Sequence, residues 1–171
     1  MRHLSLTLLI FLLTIPAGAE SAQELLAKAQ ETDIPTKRIR FLNKAIAEDK
    51  NFALGYFMRA QANTDLGDCA AALPDLNRAA ELSTATAQIR YYRASCLMEL
   101  GKSSAALEDY TAIIEAYPDS ASAYYRRGLA YAALERPADA LKDFSRALTL
   151  DPGYAAKPSR AAGHGSGLYR T

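Results

Sequence analysis

The chain has 171 residues, half of them apolar and 23% charged, which suits one sizeable hydrophobic core and is short for two independent globular domains. Ala is by far the commonest residue while Val and Trp are absent, and that scarcity of β-branched and bulky aromatic types excludes a sheet-rich fold and points to helices. The formal charge of +1, from 20 Lys or Arg against 19 Asp or Glu, indicates neither a grip on nucleic acid nor an acidic tail. The only histidines, His3 and His164, lie outside the part that reads as folded, so chemistry needing a preorganised imidazole is not expected.

Met1, Arg2 and His3 form a short positive start, and an apolar run from Leu4 to Ile15 follows it. Ala17-Gly18-Ala19 then has the small-x-small form that a signal peptidase requires. The run falls short of the roughly 20 residues that span a bilayer. Residues 1–19 therefore read as a secretory signal cleaved after Ala19, with no membrane anchor left on the mature chain. The expected compartment is the bacterial periplasm, or the exterior otherwise. Cleavage there removes Arg2 and no acid, so the remainder is charge-neutral.

In an oxidising compartment the two cysteines, Cys69 and Cys96, are candidates for a bridge. A count of helix levels argues against it. With an antiparallel turn near 83–86, the residue level with Cys69 is near Leu100, and four residues of helix make about 6 Å of offset. Two buried thiols are therefore expected, with the disulfide as the alternative.

Self-similarity then organises the rest of the chain. Ala72, Ala106 and Ala140 recur at one fixed interval, as do Leu73, Leu107 and Leu141, within the segments ALPDL, ALEDY and ALKDF. Tyr56, Arg90 and Tyr124 share the spacing, and so do Arg59, Arg93 and Arg127. Three tandem units follow at 53–86, 87–120 and 121–154. A degenerate one precedes them at 20–52, because Ala45-Ile46 and Asp49 to Phe52 fall three periods before Ala147-Leu148 and Asp151 to Tyr154. Each unit reads as two helices, about 121–134 and 137–150 in the last. Pro137 suits a first helical turn and Pro152 stops the unit, while Gly67 and Gly101 relax the backbone between paired helices.

This pattern resembles the tetratricopeptide repeat family. The residues that carry the resemblance are Tyr124, Gly128, Tyr131, Ala140, Phe144, Ala147 and Pro152 in the last unit, and Ala94, Leu97, Gly101, Ala106, Tyr110 and Pro118 in the middle one. In the first full unit Tyr56, Ala60, Gly67, Ala72, Leu76 and Ala79 match, while Asn63 replaces the aromatic and Thr84 the proline. The resemblance implies an all-α, right-handed solenoid whose first helices line a concave face that binds proteins or peptides. It names no partner. The Lys and Asn clamp by which some members hold a chain-terminal carboxylate is missing here.

Three columns of residues follow from the period. Small residues at Ala60, Ala94 and Gly128 and at Ala72, Ala106 and Ala140 let paired helices approach, with Leu76, Tyr110 and Phe144 filling the space beside them. Arg59, Arg93 and Arg127 face Asp75, Asp109 and Asp143 in a structural charge ladder, in which level counting lets each inner Asp bridge the Arg of its own unit and that of the next. Phe57, Tyr91 and Tyr125 fall on first helices, with Gln61, Ser95 and Leu129 one turn further on and Asp65, Met98 and Glu99 beyond. That aromatic stripe with polar neighbours is a candidate partner-binding groove; packing of the rings between units is the other reading.

Two places break the pattern. Pro74 inside a second helix should kink it or delay its start. The tail 155–171, rich in Gly, cannot supply the capping helix that solenoids need, which leaves an apolar face of 137–150 uncovered. With no metal-ligand spacing, Gly-rich phosphate loop or nucleophile and base pair, no enzyme, metal or cofactor is expected. The expectation is an exported, non-enzymatic adaptor that binds a protein or peptide in its groove; the alternative is a structural subunit that self-associates through the uncapped helix.

Overall fold

The computed structural model describes residues 20–83 and 86–156. Eight α-helices run in order through these residues: α1 Ala22–Gln30, α2 Pro35–Glu48, α3 Ala53–Asp65, α4 Cys69–Leu82, α5 Ala87–Glu99, α6 Ser103–Ala116, α7 Ala121–Ala133 and α8 Pro137–Leu150. A 3-10 turn, Pro152–Ala156, closes the described part. It reaches two residues into the segment read as a tail; the rest of that segment and the leader at 1–19 lie outside the described residues.

Each odd-numbered helix packs on the even-numbered helix that follows, and each even-numbered helix packs on the next odd one. The result is a stack of hairpins. Local chemistry sets the ends. Ser21 and Glu24 form a reciprocal capping box on α1, and Asp68, Thr86 and Ser120 accept the backbone N–H of Ala71, Ile89 and Ala123. Gly67 and Gly101 take left-handed backbone at φ 76° and 71° in the turns within hairpins. There the next N–H, of Asp68 or Lys102, reaches back to the carbonyl of Asn63 or Leu97. Glu135 occupies the same place in the last hairpin at φ 57°, a conformation that strains a residue bearing a Cβ.

The small columns do what the spacing predicts. Ala60, Ala72, Ala94 and Ala106 are wholly buried, and a Cβ added at Gly128 would lie 2.6 Å from the ring of Phe144. Tyr110 and Leu76 fill the space beside them at 0% exposure. Pro74 departs from expectation: α4 starts at Cys69 and continues through it. The bond it forfeits would have gone to Ala70, in the first turn, and both residues are exposed, on the side of the helix open to solvent.

Candidate interaction surfaces

The polar ladder is built from one gesture repeated three times. Arg59 Nε and Nη2 donate to Asp75 at 2.7 and 2.6 Å, Arg93 to Asp109 at 2.7 and 2.6 Å, and Arg127 to Asp143 at 2.7 and 2.9 Å. These are two-point guanidinium–carboxylate pairs on buried carboxylates. The hydrogen bonds to the aspartates hold all three guanidinium groups above their ordinary range.

The expected bridging by aspartate is corrected. Among the described residues, the ladder aspartates make their ion pairs within their own unit. The arginines make the link between units. Nη1 of Arg59, Arg93 and Arg127 reaches back to Asn43, Asn77 and Thr111, at 2.7, 3.5 and 3.3 Å. This column of acceptors keeps the same repeat interval, and a search for opposite charge alone passes over it. Asp109 has a second arginine after all, Arg90 of its own unit, at 3.3 Å.

The aromatic column is a second correction. Phe57 and Tyr91, expected in the groove, are 8% and 5% exposed. Phe57 meets Tyr92 edge-on and Tyr91 meets Tyr110, with the guanidinium of Arg126 over the Tyr91 ring. Tyr125 is half-buried between Phe144 and Tyr154. Rings of this size gain most by being packed against other rings, so Phe57 and Tyr91 serve packing, and Tyr125 keeps part of its surface open. Burial pushes Tyr110 up to about 12, against a weaker pull from its Ser95 contact.

The other residues singled out from the sequence have separate fates. The Ser95 hydroxyl lies 3.4 Å from that of Tyr110, and Asp65 pairs with Arg38 at 3.5 Å. Met98 packs partly against the middle core. Gln61 and Leu129 are half-buried on α3 and α7. α3 touches α5 directly, and Gln61, Ser95 and Leu129 stand at one repeat position on α3, α5 and α7.

The two cysteines are bridged, contrary to the expectation of free thiols. Cys69 at the start of α4 and Cys96 in α5 have Cα atoms 5.0 Å apart and form a disulfide. The level count treated the axes as parallel; stacked helices cross at angles of tens of degrees, so sequence numbers fix level only to about one turn. The bridge fastens the first full hairpin to the second.

Two large apolar side chains of α8 are exposed, Leu141 at 65% and Leu148 at 40%. Beside them is a shallow groove of about 530 Å³ lined by Ala132, Glu135, Pro137, Ala140, Leu141 and Phe144. Among the described residues, no helix is long and apolar enough to cross a membrane, and no three His, Cys, Asp or Glu side chains cluster as metal ligands would.

Antiparallel helix pairs of constant length, repeated at a constant interval and tied by the same Arg–Asp pair, define a helical-repeat solenoid, a class of scaffold that holds other proteins. The chain belongs to the tetratricopeptide repeat family, whose model matches residues 57–103 and 97–155. Among solved structures it is similar to a MamA protein, at 28% identity over 79% of this chain and 75% of that one with a TM-score of 0.71. It is also similar to MamA from Desulfovibrio magneticus RS-1, at 25% identity over 77% and 76% with a TM-score of 0.73. No curated protein matches it at a significant level.

Proposed function

We propose that this protein is an exported, non-enzymatic adaptor that holds a protein or peptide partner on its first-helix face. The observation that carries the reading is a non-repeating set of side chains on a repeating frame. The packing columns keep their chemistry from unit to unit: Arg59, Arg93, Arg127 and Asp75, Asp109, Asp143. The surface row beside them does not: an amide at Gln61, a hydroxyl at Ser95, an aliphatic group at Leu129. The ion-pair columns repeat because the packing they fasten repeats; the half-buried row on the first helices is less constrained and differs from unit to unit as recognition demands. The sealed rings and the ion pairs behind the row make it rigid, which limits the entropy lost on binding.

Export is supported by the leader-like start and by the Cys69–Cys96 bridge, since disulfides persist in oxidising compartments. The test has two arms. The protein recovered from its envelope fraction is expected to begin at Glu20 and carry no free thiol. Affinity capture from envelope extract is expected to retain a partner with Glu108→Lys, on the exposed side of α6, and to lose it with Gln61→Arg combined with Leu129→Glu. Retention by the double variant, with its helicity intact, overturns the first-helix reading.

A further inference from the structure

We infer that α8 is a dimerisation helix that meets α8 of a second copy antiparallel across a two-fold axis. The repeat period shows what this face is for. On α6, which packs between α5 and α7, Ser103, Tyr110 and Ile114 are 7%, 0% and 8% exposed. Their equivalents on α8 are Pro137, Phe144 and Leu148, and Leu141 stands where α6 has half-buried Leu107. Pro137, Leu141 and Leu148 are exposed and only Phe144 is partly covered. The surface of α8 thus continues an interface that elsewhere in this molecule is always closed by a helix.

The other end of the stack does not supply that helix. α1 buries Ala22, Leu25 and Ala29 and turns Gln23, Glu24, Ala27 and Lys28 outward, with Lys28 ion-paired to Glu20. Docking that charged stripe on Leu141 and Leu148 would strip water from groups that gain nothing in return. Head-to-tail growth of the solenoid is therefore disfavoured.

α8 itself has the seam required. Pro137, Leu141, Phe144 and Leu148 are spaced by four, three and four residues, the spacing of a helix-pairing stripe. Antiparallel pairing sets Leu141 against Leu148 of the second copy, near the groove at the start of α8, with Phe144 and Ser145 beside the axis. Ala138 and Ser145, exposed beside the middle of the seam, are small and uncharged, so two copies approach closely there, with the charged Glu135 at the end of the groove. The contact is isologous and closes at two.

Light scattering on the protein expressed from its full chain is expected to give twice the monomer mass, falling to the monomer mass in Leu141→Glu, an exposed site whose change leaves the fold intact. A second variant locates the axis. Since Cys69 and Cys96 are paired, the thiol of Ser145→Cys is the only free one, and a short bis-maleimide is expected to join two chains through it. A monomeric wild type, a ladder of larger species, a dimer surviving Leu141→Glu, or a dimer not joined at position 145 would each overturn the inference. None of these touches the first-helix reading, whose variants lie on α3 and α7.

Discussion

Replacing Asp109 with Ala is expected to destabilise the protein more than replacing Asp143, and the structure supplies the difference. Each aspartate takes two charge-assisted bonds from one arginine, and each is nearly sealed, at 2% and 3% exposed. Loss of such a carboxylate leaves a half-buried guanidinium without its counter-charge, a cost of about 3 kcal/mol. Asp109 also accepts from Arg90 at 3.3 Å. Arg90 is one-third exposed, with a side-chain accessibility of 34%, so its share is about 0.5 kcal/mol. Urea melts of the two variants should therefore keep a common slope, with Asp109→Ala the lower midpoint by roughly 0.3 M at a slope of about 1.5 kcal/mol per molar. Arg90→Ala should cost stability in the wild type and nothing further in Asp109→Ala. Equal midpoints, or an Arg90 effect that survives loss of Asp109, would refute the reasoning.

The Cys69–Cys96 bridge closes a segment of sequence separation 27, for which chain entropy gives about 3.5 kcal/mol; reduced and oxidised protein that melt together would contradict this. Glu135→Gly relieves the left-handed strain at φ 57° and is expected to stabilise by about 0.5–1 kcal/mol, read as a higher Tm. Tyr110, raised to about 12 in the fold against about 10 unfolded, contributes stability that is whole below pH 10 and is lost as pH climbs through about 12. Phenolate absorbance should show a late-titrating class that loses one ring in Tyr110→Phe, and an unchanged titration would count against its burial.

The fold was legible in the sequence because packing in a solenoid repeats, and a repeated constraint leaves a repeated letter. The expected helices at 121–134 and 137–150 appear as Ala121–Ala133 and Pro137–Leu150, and the Arg and Asp columns meet. Relations between neighbouring hairpins were much less legible. They depend on crossing angles that no letter encodes, which is why level counting missed the Cys69–Cys96 bridge and assigned the inter-unit link to aspartate. The exposure of Phe57 and Tyr91 failed for a related reason. Helical spacing puts a residue on a first helix, but whether its ring turns outward or inward depends on what its neighbours offer, here Tyr92 of the next unit for Phe57, and Tyr110 of its own hairpin with Arg126 of the next for Tyr91. Glu135 was readable, standing one full period after Gly101, but a search of the period for likeness passes over the one unlike residue.

The most direct test of an adaptor that works through its first helices is site-specific photo-crosslinking in the native envelope, with a benzophenone side chain at position 61 or 129 and a control at 108 on α6. The account predicts discrete adducts of one partner from the two first-helix positions and none from the control. Adducts from position 108 alone, or none from 61 and 129 while the protein is folded and exported, would contradict it.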